Sequence, residues 1–431
     1  MSPTSVADPM GPVERQLPPQ PTSVGEARRL VREVLEGTGR VDLAALAENA
    51  VLLTSEVVTN AILHAGTTVD LVVRLDGGVR IEVADGSEHL PVRRRYATTA
   101  GTGRGLMMLE EVADAWGVQR RPGGKVVWFE LGRGADTDLA GVVGSVPKAG
   151  AGFEVELRRM PLLLHQAWQE HAEALLREYL LVTLEEDGDD DPIQVHAEAT
   201  DAIAVLEEHV PRPDVAVTAD ELMADAVEPR VTAERIRVPV PLGSVAHFDV
   251  LDRTIDAALA LARDGLVLTT PTQPEIRSFR RWVCGEVRRQ AEGEQPREFH
   301  VEHTPMPPSS PEPVWDVASV RAATTGRIAA DEANRILAVS PAALALLGYD
   351  DPAELVGNRL VTIIPERFRQ AHIAGFTMYL LVGRQPLLGQ RVTLPAMRRD
   401  GSEVLIELLV SVEDGGDGRS VFVADLVPAE S

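Results

Sequence analysis

The run Glu56-Val57-Val58-Thr59-Asn60-Ala61-Ile62-Leu63-His64-Ala65 sets a carboxylate, an amide and an imidazole at i, i+4 and i+8. In a helix these three share one face, and Val57, Val58, Ala61, Ile62 and Ala65 supply the apolar remainder. An amide oxygen one turn from a carboxylate suits a divalent cation, and the carboxylate can act as a base on a nearby water or hydroxyl. An amphipathic helix with a polar edge has the same spacing, so the spacing alone leaves both readings open.

Two further stretches narrow the chemistry. Val69–Leu75 and Val79–Ala84 read as a hairpin turned by Asp76-Gly77-Gly78, ending in Asp85-Gly86-Ser87. An aspartate where a buried strand exits can accept a hydrogen bond from an exocyclic amine. Then comes Gly101-Thr102-Gly103-Arg104-Gly105-Leu106, leading into a helical stretch over Leu106–Ala113. Glycines there let backbone N–H groups approach phosphate, and the helix that follows offers its positive N-terminal end. A glycine-rich loop by itself is also a plain loop; three such elements in this order are a stronger signal.

On these residues the segment 22–131 resembles the GHKL-type (Bergerat) ATP-binding domain, in the short form of the anti-sigma-factor serine kinases. Glu56–His64 matches the N box, Asp85 and Gly86 the first glycine box, and Gly101, Gly103, Arg104, Gly105 and Leu106 the second. The resemblance implies ATP as ligand, Mg2+ held by Asn60, Glu56 as catalytic base, His64 in the nucleotide site and Asp85 reading adenine. Glycine follows Asp85 directly, where larger GHKL enzymes have Asp-x-Gly, and no phenylalanine-rich F box is visible. Both departures fit the short actinobacterial members.

The elements that must position these residues are legible in outline. A helix through Leu35 opens at Ser23, with Glu26 three residues on as in a capping box, and Val24, Ala27, Leu30, Val31 and Val34 form its stripe. The main helix runs from about Leu43 to Ala65. Trp116–Arg121 and Lys125–Leu131 form a second hairpin around Pro122-Gly123-Gly124. Residues 1–21, with six prolines, read as a disordered tail.

The chain has 431 residues, 44% hydrophobic and 25% charged, enough for two or three globular domains. A net charge of −24 argues against a general nucleic-acid surface. Arg93-Arg94-Arg95 and Arg120-Arg121 are local exceptions, facing phosphate, an acidic partner or only solvent. The single cysteine, Cys284, excludes an intrachain disulfide and reads as packed. No apolar run reaches the roughly 18 residues of a membrane span, and the N-terminus lacks the order of a signal peptide. The expected location is the cytoplasm, with no membrane partner.

Residues 132–151 read as a linker, and 152–290 as a bundle-like, mostly helical region with helices over Met160–Leu184, Val195–Val210, Ser244–Asp264 and Pro274–Gln290. His165, His171, His196, His209 and His247 are scattered in it. His165 opens a helix, yet His165-Gln166-Ala167-Trp168 does not match a phosphoacceptor motif. Residues 291–314, with six prolines, read as a second linker. Residues 315–429 resemble a PAS sensor domain through the helix ending in Gly348-Tyr349, the step Glu354-Leu355-Val356-Gly357 and the Arg399-Asp400-Gly401 hairpin. The segment Pro365–His372 resembles the one that carries the proximal histidine in haem-binding PAS domains, with Ile364, Ile373, Phe376, Leu380 and Leu394 as a pocket. The alternative is that His372 is an ordinary helix residue and those side chains an ordinary core. This unit is expected to fold alone.

The expected architecture is therefore an α+β multidomain protein: an N-terminal Bergerat-type α/β sandwich, a central mostly helical region and a C-terminal PAS mixed α/β domain. The expected function is signalling, as an ATP-dependent serine/threonine kinase of anti-sigma-factor type. The alternative is a non-catalytic ATP-binding protein that sequesters its partner. A sigma factor or an anti-sigma-factor antagonist protein is the implied partner, and homodimerisation through either recognisable domain stays open.

Overall fold

The computed structural model describes residues 11–75, 77–87, 104–132, 152–184, 191–213, 226–271, 273–300, 315–383, 388–416 and 419–429. The N-terminal unit is a two-layer α/β sandwich. Its sheet has the order β1-β2-β3-β5-β4, built from β1 (Val13–Leu17), β2 (Val69–Leu75), β3 (Val79–Asp85), β4 (Ala115–Arg121) and β5 (Gly124–Leu131), all antiparallel. Strict alternation in β2 and β3 sends Leu71, Val73, Ile81 and Val83 to one face. That face is covered by α1 (Thr22–Gly37), α3 (Ala47–Ala65) and α4 (Arg104–Val112). On the other face Arg80 lies 4.1 Å over the Trp128 ring and pairs with Glu82 and Glu130.

Three local expectations differ from the observed fold. Val13–Leu17, expected in the disordered tail, pairs with β2 and buries Leu17. The capping box does not form. The helix starts at Thr22, so Ser23 turns back to donate to the Pro18 carbonyl at 2.8 Å, and Glu26 pairs with Arg15. The long helix is broken into α2 (Val41–Ala44) and α3.

The central region is not a plain bundle. It contains β6 (Gly152–Pro161), α5 (Leu162–Thr183), α6 (Pro192–His209), β7 (Thr232–Pro241), α7 (Val245–Arg263) and α8 (Pro274–Ala291). Met160, expected in a helix, lies in β6. The strand–helix–helix unit occurs twice. The strands are each 10 residues long, and their antiparallel register pairs Gly152 with Pro241 and Pro161 with Thr232. That register is symmetric about a two-fold axis. Trp168 and Phe248 each follow the strand-final proline by the same spacing and are buried in the same core. The second helix of each unit opens with a proline in its first turn, where no N–H partner is lost. Residues 291–300, expected in a linker, reach back to this core: Phe299 is buried and its N–H donates to the Arg158 carbonyl at 3.0 Å.

The C-terminal unit has the sheet order β10-β11-β12-β8-β9, from β8 (Gly326–Ala330), β9 (Ile336–Val339), β10 (Arg391–Met397), β11 (Glu403–Asp414) and β12 (Ser420–Pro428). The short α9 (Val317–Arg321) covers one side. Ser340 caps α10 (Pro341–Leu347), which ends at left-handed Gly348. Helix α11 (Glu366–Val382) packs on α5 of the central region.

Candidate functional site

Helix α3 carries the first set of candidate residues. Its apolar side joins the domain core through Leu53, Val57, Ala61 and Ile62, which leaves Glu56 and Asn60 half-buried on the opposite edge. The two lie one turn apart on one face, as the spacing requires. Neither is hydrogen-bonded or ion-paired among the described residues, so the Asn60 amide oxygen remains available to a cation. The helix stops at Gly66, whose φ of +59° suits glycine and whose N–H donates to the Ile62 carbonyl at 3.1 Å. The side chain of His64 lies outside what is described.

Strand β3 delivers the second. Asp85 is its last residue and is 2% exposed. The Gly86 N–H donates to Thr67 Oγ1 at 2.8 Å, fixing the exit of the strand. Asp85 Oδ1 accepts two hydrogen bonds, from the Ser87 N–H at 2.8 Å and from Lys125 Nζ at 3.0 Å. Burial pushes the Asp85 carboxyl above the usual carboxylate range, and the Lys125 charge and the Ser87 N–H work against that push. Lys125 was missed at the level of sequence. Its position directly opposite Asp85 in the β3–β5 register appears only once the two hairpins are paired.

Gly101 and Gly103 lie outside the described residues. Arg104, Gly105 and Leu106 form the first turn of α4, with their side chains outside what is described. Arg93, Arg94 and Arg95 are likewise outside. Arg120 does meet an acidic partner, but in its own chain: Glu208 at the end of α6. Arg121 pairs with Asp70 at 3.3 Å.

The central histidines are structural. His165 lies in an aromatic cluster, 5.9 Å from Trp168 and 6.0 Å from Phe279 between ring centres. Burial drives its pKa down to about 3. A phosphoacceptor needs a water-facing imidazole, and this one has none of that access. His196, also buried, is lowered to about 4. Cys284 is packed in α8, and burial raises its thiol.

The haem pocket does not assemble. His372 is half-buried with Nε2 against the Asn334 amide, 2.8 Å from Nδ2 and 3.1 Å from Oδ1. Ile373, on the same helix, turns into the central core, while Leu394 belongs to the PAS core. The side chains named as a lining therefore do not share one chamber. Loss of hydration and the charge of Arg359 lower the imidazole to about 4.

Comparison with known proteins agrees with this geometry. Residues 17–131 match the histidine kinase-like ATPase domain, and residues 317–424 match the PAS fold. The chain thus carries a GHKL-type ATPase domain at its N-terminal end and a PAS domain at its C-terminal end. An uncharacterized protein of Azorhizobium caulinodans is 34% identical over 101 residues, 23% of this chain. The chain spans only 14% of the length of that relative. The PAS domain of an HTR-like protein from Haloarcula marismortui is 21% identical, covers 26% of this chain and 88% of that one, and superposes with a TM-score of 0.21. A domain of a sensory box sensor histidine kinase/response regulator from Geobacter sulfurreducens is also 21% identical, over 25% of this chain and 88% of that one, with a TM-score of 0.20. An ATPase domain of histidine-kinase type thus shares this chain with a PAS domain, a combination that supports a signalling, ATP-binding regulator. Among the described residues no helix is long and apolar enough to cross a membrane.

Proposed function

We propose that the chain is a cytoplasmic serine/threonine protein kinase of anti-sigma-factor type, regulated through its central region and PAS domain. The observation that carries the reading is the buried Asp85 at the exit of β3, in the same two-layer domain whose helix α3 presents Glu56 and Asn60. A buried carboxylate at a strand end recognises an amine on a nucleobase. Asn60 is the residue to hold Mg2+, which would neutralise charge on the phosphates. Glu56, one turn away, would orient and deprotonate the acceptor hydroxyl. The acceptor is a serine or threonine of a protein antagonist, and a sigma factor is the partner whose release the phosphorylation would control.

The test begins with calorimetry of Mg-ATP on the full chain. Asn60→Ala and Asp85→Asn are each expected to weaken binding about tenfold, since a hydrogen bond to a charged group contributes on the order of 1.5–3 kcal/mol. Unchanged affinity in both variants removes the site. Binding without phosphotransfer to any antagonist protein would leave a nucleotide-dependent sequestering protein instead.

A further inference from the structure

The Asp85–Lys125 pair is not what a core ion pair needs to be. Lysine is almost never this buried without a partner, and here its side chain is 9% exposed. A buried ion pair by itself adds little stability, because desolvation offsets the attraction. The backbone nonetheless forces the two together. Gly124 precedes Lys125, and a β-carbon there would lie 1.9 Å from the Asp85 carbonyl oxygen, so only glycine lets β5 close this tightly on the end of β3. Lys125 Nζ then reaches both Asp85 Oδ1 and, at 3.5 Å, the Ser87 carbonyl.

The pairing is one-sided. Oδ1 takes both donors, the Ser87 N–H and the Lys125 ammonium, and Oδ2 has none among the described residues. A carboxylate held by one oxygen cannot rotate, and its second oxygen is fixed as an acceptor. We propose that Lys125 is a positioning residue of the nucleobase pocket: by holding Oδ1 it reserves Oδ2 for the exocyclic amine of a 6-aminopurine. The inference rests on the reading of Asp85 as the base-recognising residue and adds what makes that recognition selective. The Lys125 charge also opposes the burial that pushes the Asp85 carboxyl up, which favours the ionised form that accepts a hydrogen bond. Besides Lys125, the charge that bears on Asp85 is Arg121 of β4, paired with Asp70 of β2; Arg80, Glu82 and Glu130 pair with one another toward the other end of β3 and β5.

The experiment compares Mg-ATP with the Mg complex of purine riboside 5′-triphosphate, which lacks the 6-amino group, on full-length wild type, Lys125→Met, Lys125→Gln and Lys125→Arg. Circular dichroism checks that each variant is folded. Wild type is expected to prefer ATP by about tenfold, the weight of one charged hydrogen bond. Lys125→Met and Lys125→Gln should bring the preference to within about threefold by weakening ATP alone. In both, ATP affinity should also fall more steeply than in wild type as pH is lowered, because Asp85 loses the charge that opposes its burial. Lys125→Arg should restore most of the preference. A merely structural lysine would weaken both nucleotides equally and leave the preference intact, and that result overturns the proposal. Equal binding of both nucleotides by wild type overturns it as well. Wild type that binds neither nucleotide removes the nucleotide reading itself, and a failure of that kind is distinguishable from the other two.

Discussion

Gly66, which ends the helix bearing Asn60, is in contact with Ala197 of central helix α6: a β-carbon on Gly66 would lie 2.6 Å from the Ala197 Cβ. The contact is part of a shared core. Leu180 of α5 and Ile193 of α6 belong to the apolar cluster of the ATPase domain, and Glu208 of α6 holds Arg120. At the other end of the central region Val361, Ile373 and Ala374 of the PAS domain join the central core. The helix that presents the proposed catalytic residues is thus connected to the PAS domain through packed side chains and without a flexible gap.

Gly66→Ala is expected to destabilise the protein by about 2–4 kcal/mol, combining the left-handed backbone with overpacking against Ala197. Gly77→Ala is the control. Its φ is +67°, but nothing lies within 4 Å of the added carbon. It should cost only about 1 kcal/mol. Urea denaturation measures both. Ala197→Gly in the Gly66→Ala background should recover the packing part, and equal costs for the two single variants would remove the contact from the account.

The PAS interface makes a second, sharper case. Arg359 pairs with Glu275 of α8 and donates to Gln273 Oε1 at 2.9 Å. Gln370 accepts from the Leu163 N–H at 2.9 Å and donates to Thr232 Oγ1 at 3.1 Å. Arg359→Ala leaves the Glu275 carboxylate buried and unpaired, which costs about 3–5 kcal/mol. Replacing both together, as Arg359→Met with Glu275→Leu, should cost much less. A double variant as damaged as the single one would show that the pair does not act as a unit. The same contacts revise the expectation of an autonomous 315–429 fragment, which would expose Ile373, Ala374 and the Arg359 guanidinium.

The sequence disclosed the ATPase and PAS units because their signals are local. Glu56 and Asn60 share a helix face by spacing alone, and the Asp85 strand exit and the Arg399-Asp400-Gly401 turn are read within a few residues. What escaped was long-range. Within β6 and β7 the stretches Phe153–Leu157 and Ile236–Val240 alternate apolar and polar residues, but each alternating run is short, and its value shows only when the strands pair across the intervening helices. Lys125 looked like any strand lysine until the register set it opposite Asp85. The capping box at Ser23 and Glu26 failed because β1, hidden in a proline-rich stretch, claimed Glu26 through Arg15.

Acid should unfold the central region early. His165 and His196 are buried with pKa values lowered to about 3 and about 4, and burial lowers His171 too. Their folded values lie below the unfolded value near 6.5, so the unfolded chain takes up protons first. Stability is then constant well above pH 6.5 and falls as pH drops toward 4, by up to about 1.4 kcal/mol per unit for each of His165 and His196, with His171 acting in the same direction. Asp256, held low because Arg280 and Arg281 outweigh its burial, loses its contribution only at more acid pH. Urea midpoints at pH 7.5, 6 and 5 give the slope. His165→Phe, which keeps an aromatic ring beside Trp168 and Phe279, should reduce it by about one proton's worth. An unchanged slope would mean that His165 is not neutral in the fold.

Glu56→Gln isolates the chemistry from the binding. The two side chains have nearly the same shape, Glu56 is half-buried on an edge of α3, and no described group pairs with it, so the fold and the nucleotide should be undisturbed. The amide cannot accept a proton from a serine hydroxyl. If Glu56 is the base, phosphotransfer should fall by about 10²–10⁴-fold, with Mg-ATP affinity within about twofold of wild type. Calorimetry and single-turnover transfer of labelled phosphate to an antagonist protein measure the two separately. A Glu56→Gln protein that transfers at the wild-type rate would show that the acceptor hydroxyl loses its proton elsewhere. The in-line positioning by Asn60, Mg2+ and the α4 N-terminus would then carry the reaction without a protein base.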